Sequence, residues 1–180
     1  MRRSRAAMLG ESLGPMGIRQ LRWLSLSICM GILALAAGLS LAKAETIIGQ
    51  ATVVDGDTLT VSGQRIRLWG IDAPESAQQC DREAKPYPCG SEATRYLAAL
   101  VQAGPVACTV RTYDRYRRAV ALCLAGSKDI SAEMVREGWA LAFVRYSADY
   151  VGLEHDAKAN RRGMWSGSFV PPWDWRAAKR

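Results

Sequence analysis

The most concentrated reactive chemistry in the chain is a group of four carboxylates around one arginine. Asp55, Asp57, Asp72 and Glu75 lie within about twenty residues of sequence, with Arg67 between them. If Asp57 begins one strand and Asp72 ends the next, antiparallel pairing would bring their carboxylates within a few ångströms. Anions about 5 Å apart repel by roughly 3 kcal/mol at an effective dielectric constant near 20. An oxygen-bound divalent cation would remove that repulsion, and Ca²⁺ suits a site with few, flexible ligands.

These residues also have a simpler interpretation. The run from Asp55 to Asp57 is typical of a tight hairpin turn, and Asp72 stands just before a turn proline. An arginine such as Arg67 can equally be a surface residue at a strand edge. Spacing alone leaves both interpretations open.

The histidine content restricts the kind of metal site. His155 is the single histidine of the sequence, which excludes the multi-histidine sites of zinc and iron hydrolases. Glu154 and Asp156 flank it on a predicted helix, so a solvated side chain is favoured over a catalyst. Any metal should therefore be a hard, oxygen-bound cation.

Residues 1–44 have the pattern of an export signal. Arginines near the start precede an uncharged stretch from Leu24 to Leu41, and Ala42-Lys43-Ala44 fits a cleavage site before Glu45. The stretch approaches the roughly 18 residues that span a bilayer, so an uncleaved anchor is the alternative. We therefore expect a secreted or periplasmic protein, with membrane association only if the segment stays attached.

The charge is concentrated in that segment. The whole chain of 180 residues carries a formal net charge of +7, from 24 basic and 17 acidic side chains. Residues 1–44 hold six of the basic and one of the acidic residues, so that residues 45–180 are at about +2. A general polycation is excluded, and any affinity for phosphates must come from a few placed side chains.

Four cysteines in residues 45–180 agree with an oxidising compartment. We expect Cys80 to pair with Cys89, closing a polar loop, and Cys108 with Cys123, bracketing a hairpin, although three pairings are possible. Neither spacing is C-x-x-C, which disfavours redox catalysis and zinc binding.

The periodicity of apolar residues predicts a mainly β, α+β fold in one domain. The predicted strands are residues 46–54, 57–61, 65–71, 106–111 and 119–124. Three helices are predicted, one after an N-cap at Ser91, one over 130–137 and one over 148–162. Between 75 and 90 we expect an irregular loop. This order suits a five-stranded Greek-key barrel of the OB type, although periodicity does not exclude other α+β barrels.

Several separated motifs resemble the staphylococcal nuclease (thermonuclease) family. They are VVDGDT at 53–58, RLWGIDAPE at 67–75, DRYRR at 114–118, MVREGWA at 134–140 and GMW at 163–165. The resemblance covers essentially all of residues 45–180. It implies an OB-fold barrel that cleaves DNA and RNA phosphodiesters with Ca²⁺.

The resemblance also assigns metal ligands. It implies that Asp57 and Asp72 supply the carboxylates and that the backbone carbonyl of Ala73 is a further ligand. The family commonly has threonine at position 73, but a carbonyl ligand does not depend on its side chain.

Three further positions take catalytic roles by the same resemblance. Glu75 matches a glutamate that activates or orients the attacking water. Arg67 and Arg118 match two arginines that grip the scissile phosphate. Guanidinium groups suit this role because charge accumulates on the phosphoryl oxygens during hydrolysis.

The DRYRR motif departs from the family at one position. Arg117 stands where the family usually has glycine, which tolerates a positive φ that costs arginine energy. The register could also give Arg117 the phosphate role of Arg118. Arg115 and Tyr116 match positions near the nucleotide, but an exposed hairpin tip explains them nearly as well.

Aromatic residues near the end of the chain have weaker assignments. Phe143 and Tyr146 could stack on a base, but aromatics at such positions more often fill a core. The tail from Trp165 to Trp175 is predicted to pack as an extension against the barrel.

Two functions from different classes follow. The first is an exported, Ca²⁺-dependent, sugar-nonspecific nuclease that acts on DNA and RNA, expected to be a monomer. The alternative is a non-catalytic OB-fold module that binds single-stranded nucleic acid or another anionic polymer. The presence of all five charged family positions favours the nuclease.

Overall fold

The computed structural model describes residues 44–179, so the predicted export signal lies outside the described residues. The strands are β1 (Thr46–Gly49), β2 (Ala51–Asp55), β3 (Thr58–Val61), β4 (Gln64–Leu68), β5 (Ile71–Asp72), β6 (Cys80–Arg82), β7 (Lys85–Tyr87), β8 (Val106–Tyr113), β9 (Ala119–Ala125), β10 (Lys128–Asp129) and β11 (Leu141–Ala142). The helices are α1 (Cys89–Val101), α2 (Ile130–Arg136), α3 (Val151–Ala159) and α4 (Pro172–Ala177), with a 3₁₀-helix at Gly163–Ser166. None of the helices within 44–179 is long and apolar enough to span a membrane.

The main sheet closes into a barrel. Its strand order is β1-β8-β9-β4-β3-β2, with β10 added beside β9. Only Gln50 separates β1 from β2, yet these strands lie at opposite ends of that order, so one bent segment joins the two edges. The pair β4 and β9 is parallel and the other barrel pairs are antiparallel. With β1 and β2 counted as one strand, this is the predicted five-stranded barrel in a mainly β, α+β fold.

One continuous core fills the barrel and extends under two helices. Alternate residues of β3 and β4 point inward and are fully buried, namely Leu59, Val61, Ile66 and Leu68. They belong to one cluster with Leu97 and Val101 of α1 and with Ile130 and Met134 of α2. Each such side chain stabilises the fold by about 1.5–3 kcal/mol. Ala44–Arg180 form one compact unit, so this part of the chain contains its own core.

The strand predicted over 65–71 ends earlier than expected. Gly70 has a φ of 73°, a left-handed conformation that breaks the strand after Leu68. Ile71 and Asp72 then form the short strand β5, which pairs with β11 instead of continuing β4. Ile71 is therefore a buried core residue of β5 and not part of the strand that carries Arg67.

The predicted helix boundaries also shift. Helix α1 begins at Cys89 and not after Ser91, whose hydroxyl instead donates to the backbone oxygen of Ser76 at 3.3 Å. The helix predicted over 148–162 is shorter and covers Val151–Ala159. Ser147 caps a turn just before it, since its Oγ accepts the Asp149 N–H at 3.0 Å. The polar loop between 75 and 90 contains a regular hairpin, β6 with β7.

The structure pairs the cysteines as predicted. Cys80 is bonded to Cys89 and Cys108 to Cys123. Cys108 and Cys123 lie directly opposite each other on β8 and β9. The Cys80 to Cys89 bond ties the β6–β7 hairpin to the first turn of α1.

The loop between β8 and β9 holds Arg117 in the left-handed conformation. Its φ is 63°, and its N–H donates to the Asp114 oxygen at 2.9 Å. The Asp114 N–H donates to the Arg118 oxygen at 3.0 Å, which closes a three-residue loop. Such loops combine a turn with one left-handed residue that is usually glycine. The loop thus has the backbone conformation that glycine favours, and Arg117 adopts it with a steric penalty.

We expect Arg117→Gly to stabilise the protein by about 1 kcal/mol, because glycine adopts this φ without the steric penalty of a side chain. Urea unfolding of residues 44–180 measures the change. Arg111→Gly is the matched control, since Arg111 is an exposed arginine of β8 without a positive φ and its replacement should destabilise the strand. Equal destabilisation by both substitutions would contradict the strain at Arg117.

Candidate active site

A cleft of about 620 Å³ opens at one side of the barrel, where three loop regions and the C-terminal helix meet. Charged side chains dominate its wall. The wall consists of Asp55, Asp57, Arg67, Ala73, Pro74, Glu75, Asp114, Arg115, Tyr116, Arg118, Phe143, Arg145, Tyr146 and Arg176. The sequence-predicted residues at 57, 67, 73, 75, 115, 116 and 118 therefore share one cleft, whereas Arg117 is not part of its wall.

Asp57 is placed by the turn between β2 and β3. Its N–H donates to Asp55 Oδ1 at 3.1 Å, which fixes the turn. Its carboxylate is almost completely buried and accepts the Thr58 hydroxyl at 3.1 Å and the Ala73 N–H at 3.2 Å. The bond from Ala73 joins the motif at 53–58 to the motif at 67–75.

Asp72 ends the short strand β5 and is completely buried. Pairing of Ile71 and Asp72 with Leu141 and Ala142 of β11 fixes its backbone. A buried carboxylate needs charged partners to offset its lost hydration. Asp72 has two of them, Arg67 and Arg176.

Arg67 lies between the two aspartates. Its Nη2 is 3.0 Å from Asp57 Oδ2 and 2.8 Å from Asp72 Oδ1. Burial lowers the pKa of Arg67, but the charges of Asp57 and Asp72 outweigh burial and raise it above its ordinary value. One guanidinium nitrogen is thus shared by two carboxylates, and Asp57 and Asp72, which were predicted to be close, are close.

Asp57 remains poorly neutralised even so. Burial raises its pKa to about 7, and the charges of Asp55 and Asp72 add to this effect, although Arg67 opposes it. A further positive charge beside Asp57 would stabilise its ionised form.

The donors at this place fit a hard cation. Asp57, Asp72 and the Ala73 backbone carbonyl are all oxygen donors, the type that Ca²⁺ and Mg²⁺ take. Within residues 44–179 the structure contains no cluster of three or more histidine, cysteine or acidic side chains suited to a metal. A cation here would therefore complete its shell with water or substrate oxygens, as Mg²⁺ and Ca²⁺ commonly do.

Glu75 is held by the loop that follows the second motif. Its N–H donates to Gln78 Oε1 at 3.3 Å, and its backbone oxygen accepts the Gln78 N–H at 2.7 Å. Gly90 packs directly on that oxygen, where any Cβ would overlap it. The Glu75 carboxylate is half-buried and faces the cleft. Gln78 is completely buried, and no periodic pattern of residues indicates its role.

Arg118 is positioned by Asp114. Its Nε donates to Asp114 Oδ2 at 2.6 Å and its backbone N–H to Asp114 Oδ1 at 2.9 Å. Burial alone would raise the pKa of Asp114, but these hydrogen bonds and one from the Tyr116 N–H hold it below its ordinary value. The Arg115 guanidinium lies 4.8 Å from the centre of the exposed Tyr116 ring. Arg115 and Tyr116 thus form the outer wall of the cleft.

Arg176 is a site residue that sequence reasoning missed. It comes from α4, in the tail predicted only to pack against the barrel. Its Nη2 and Nη1 lie 2.6 and 3.1 Å from the two oxygens of Asp72, and Nη1 is 2.9 Å from Glu75 Oε1. The hydrogen bonds that Arg176 donates to Asp72 raise the pKa of Arg176 above its ordinary value. A lone arginine near a chain end carries no pattern that would indicate this position.

Aromatic side chains also form part of the cleft wall, where the sequence favoured a place in the core. The ring centres of Phe143 and Tyr146 are 5.3 Å apart, and Tyr146 lies 5.6 Å from Trp69 and Phe143 lies 6.3 Å from Trp173. Phe143 and Tyr146 line the cleft and are not core residues. The contact between Trp173 and Phe143 confirms that the tail packs against the domain through aromatic side chains.

Comparison with known proteins supports the motif resemblance. A family model described as staphylococcal nuclease homologue matches residues 65–167. Succinoglycan biosynthesis protein ExoI of Rhizobium meliloti (strain 1021) is 40% identical over 129 residues, covering 68% of this chain and 66% of the relative. An uncharacterized endonuclease of Escherichia coli is 36% identical over 135 residues, covering 71% and 82%. Micrococcal nuclease of Shigella flexneri is 34% identical over 146 residues, covering 71% and 79%.

These matches differ in how much of each relative they include. The chain spans just under two thirds of the first relative and about four fifths of the other two. The family match alone covers more than half of the chain and includes Arg67, Asp72, Glu75 and Arg118. The chain belongs to the staphylococcal nuclease family and is an enzyme of the nuclease class.

Proposed function

We propose that this protein is a Ca²⁺-dependent, sugar-nonspecific nuclease that hydrolyses phosphodiester bonds in DNA and RNA. The observation that carries the proposal is the Arg67 guanidinium between Asp57 and Asp72, in a cleft that also contains Glu75 and Arg118. The endonuclease and micrococcal nuclease relatives support the same reaction class.

The proposed cation site consists of Asp57, Asp72 and the Ala73 carbonyl. A bound divalent cation would supply positive charge that stabilises the phosphoryl oxygens as negative charge accumulates on them. The raised pKa of Asp57 supports this assignment, because its buried carboxylate lacks enough positive charge from the protein alone.

Arg67 and Arg118 are proposed to bind the scissile phosphate. Each guanidinium is planar and can donate two parallel hydrogen bonds to phosphate oxygens. Asp57 and Asp72 hold Arg67 from one side, and Asp114 holds Arg118, so both forks are oriented before substrate arrives. Groups fixed in advance need no reorganisation during the reaction, which is why such donors are effective.

Glu75 is proposed to accept the proton of the attacking water. Its carboxylate is partly exposed to the cleft and its backbone is fixed by Gln78 and Gly90. A positioned general base contributes a factor of roughly 10² to 10⁴ to the rate. Removal of the water proton by Glu75 Oε leaves hydroxide character on the oxygen that attacks phosphorus.

The chemistry of the cleft supports a lack of sugar selectivity. Its charged wall consists of guanidinium and carboxylate groups, which recognise phosphate and metal. Contacts to phosphate position a nucleic acid without reading its sequence. The aromatic side chains at the rim offer stacking surfaces that accept any base.

A hydrolysis assay on single-stranded DNA tests the function. We expect residues 45–180 to cleave it with Ca²⁺ and to lose activity in chelator, and we expect Glu75→Gln to lower kcat by about 10² to 10⁴ because the base is lost. Undiminished cleavage in chelator or by the variant would contradict the mechanism. A folded wild type without any cleavage would favour the non-catalytic binding module.

A matched pair of arginines on β4 serves as the control. Arg67→Ala should abolish most activity, whereas Arg65→Ala should leave it nearly unchanged. Arg65 belongs to the same strand but is exposed and lies outside the cleft. Equal losses from both would indicate a strand effect instead of a role for Arg67 at the phosphate.

The raised pKa of Asp57 generates a pH prediction for the metal-free protein. Because the native carboxyl holds its proton up to about pH 7 and the unfolded one releases it near 3.8, the free energy of unfolding should fall as pH rises between these values. Asp57→Asn should lack this fall and exceed the wild type at pH 8 by more than about 1 kcal/mol. Urea unfolding in chelator at pH 5 and 8 measures it. A wild-type stability that is flat over this range contradicts the assignment.

We further propose that the protein is exported. Support comes from the signal-like composition of residues 1–44 and from two disulfides, which are typical of oxidising compartments. Expression of the full chain in a Gram-negative host should give a mature protein that begins at Glu45 in the periplasm or medium. N-terminal sequencing checks this. Recovery of an intact N-terminus in the membrane fraction would favour the anchored form.

A further inference from the structure

The guanidinium of Arg176 covers the buried carboxylate of Asp72. Both Asp72 oxygens accept from it, at 3.1 and 2.6 Å, and Oδ1 also accepts from Arg67 at 2.8 Å. An ionised carboxylate has about four acceptor sites. Three of those on Asp72 are therefore taken by guanidinium groups.

This arrangement blocks Asp72 from the cleft. Asp72 has no exposed side-chain surface and does not contribute to the cleft wall, whereas Arg67 and Arg176 do. A hydrated cation that enters the cleft would meet the two guanidinium groups first. It can contact Asp72 only if one of them moves.

Arg176 is the partner that can move. Arg67 belongs to a barrel strand that is paired on both sides and also binds Asp57. Arg176 stands on the six-residue helix α4 outside the barrel strands, and its side chain is 32% exposed against 17% for Arg67. A side chain with more exposed surface has fewer packing contacts to lose when it changes rotamer, so the Arg176 guanidinium can leave Asp72 while the backbone of α4 stays in place.

We propose that Arg176 lowers the affinity of this site for its divalent cation, because its guanidinium competes with the cation for Asp72. In the metal-free protein Arg176 pairs with both Asp72 and Glu75. A divalent cation bound at this site would take the place of the Arg176 guanidinium at Asp72. The inference rests on the proposed Ca²⁺ dependence and adds a residue that lies beyond the matched family region.

The segment that precedes Arg176 is anchored to the rest of the domain. Backbone hydrogen bonds of 2.9 Å join Asp81 and Ser168 in both directions, and Gln78 Nε2 donates to the Val170 oxygen at 2.7 Å. Trp173 then packs 6.3 Å from Phe143, measured between ring centres. Three anchors precede Arg176, so its place over Asp72 is specified by the fold.

Titration calorimetry of residues 44–180 with CaCl₂, without nucleic acid, tests the proposal. We expect Arg176→Ala and Arg176→Gln to bind Ca²⁺ about tenfold more tightly than the wild type, because no charge-assisted hydrogen bonds must be broken first. Circular dichroism confirms that each variant is folded. Thermal melts should show a lower Tm for the variants in chelator and a larger rise in Tm on addition of Ca²⁺.

Arg162→Ala is the matched control. Arg162 pairs with Asp156 at 2.6 Å, the same distance as between Arg176 and Asp72, and the Arg162 side chain is 33% exposed against 32% for Arg176. Neither Arg162 nor Asp156 lies in the cleft. Its replacement should leave the affinity for Ca²⁺ unchanged.

Each outcome is decisive. Unchanged or weaker Ca²⁺ binding by both Arg176 variants, with binding intact in the wild type, would overturn the competition. An equal gain in Arg162→Ala would also overturn it, because the gain would then be a general charge effect. Absence of Ca²⁺ binding in wild type and variants alike would overturn the proposed Ca²⁺ dependence, and the competition with it.

Discussion

The sharing of one arginine nitrogen by two buried aspartates is the interaction on which the rest of this site depends. Asp57 and Asp72 are both almost without solvent contact, and Arg67 Nη2 reaches each of them within hydrogen-bonding distance. Burial of unpaired charges costs several kcal/mol each, so neither carboxylate would be tolerated alone. The same pairing leaves Asp57 short of positive charge, as its raised pKa shows. The site is thus stable enough to fold, while Asp57 keeps a deficit of positive charge.

The barrel supplies the geometry for this pairing. Antiparallel pairing of β3 with β4 places Thr58 opposite Arg67, and the turn before β3 therefore brings Asp57 to the same end of the sheet. The break at Gly70 and the pairing of β5 with β11 carry Asp72 back to that end. Hydrogen bonds between distant segments, such as Ala73 N–H to Asp57, then fix the positions of the carboxylates. The geometry of this charged cluster thus follows from the register and turns of the core strands.

Much of this could be predicted from the sequence, because the elements concerned are local. Alternation in β3 and β4, the DG turn and the ends of α2 are set by neighbouring residues, and the family motifs contain the carboxylates and Arg67. The strand predicted over 65–71 was wrong because a single left-handed glycine outweighed the alternation. The start of α1 was wrong because the disulfide and packing at Gly90 fix the first turn without a side-chain cap.

The residues that could not be predicted act through contacts across the chain. Gln78 bonds to Val170, and Arg176 bonds to Asp72 and Glu75 about a hundred positions earlier. No periodicity relates such pairs, and their side-chain types are common on any surface. Their roles appear only when the fold brings the tail to the cleft.

The position of Arg176 has a consequence for how such an enzyme changes during evolution. Substitutions of buried residues in barrel strands disturb the core, whereas substitutions of partly exposed side chains usually change stability little. Arg176 is partly exposed and stands on a short helix outside the barrel strands. If Arg176 opposes a cation as proposed, the cation concentration at which the nuclease works would be adjustable by substitutions at this one position, without cost to the barrel.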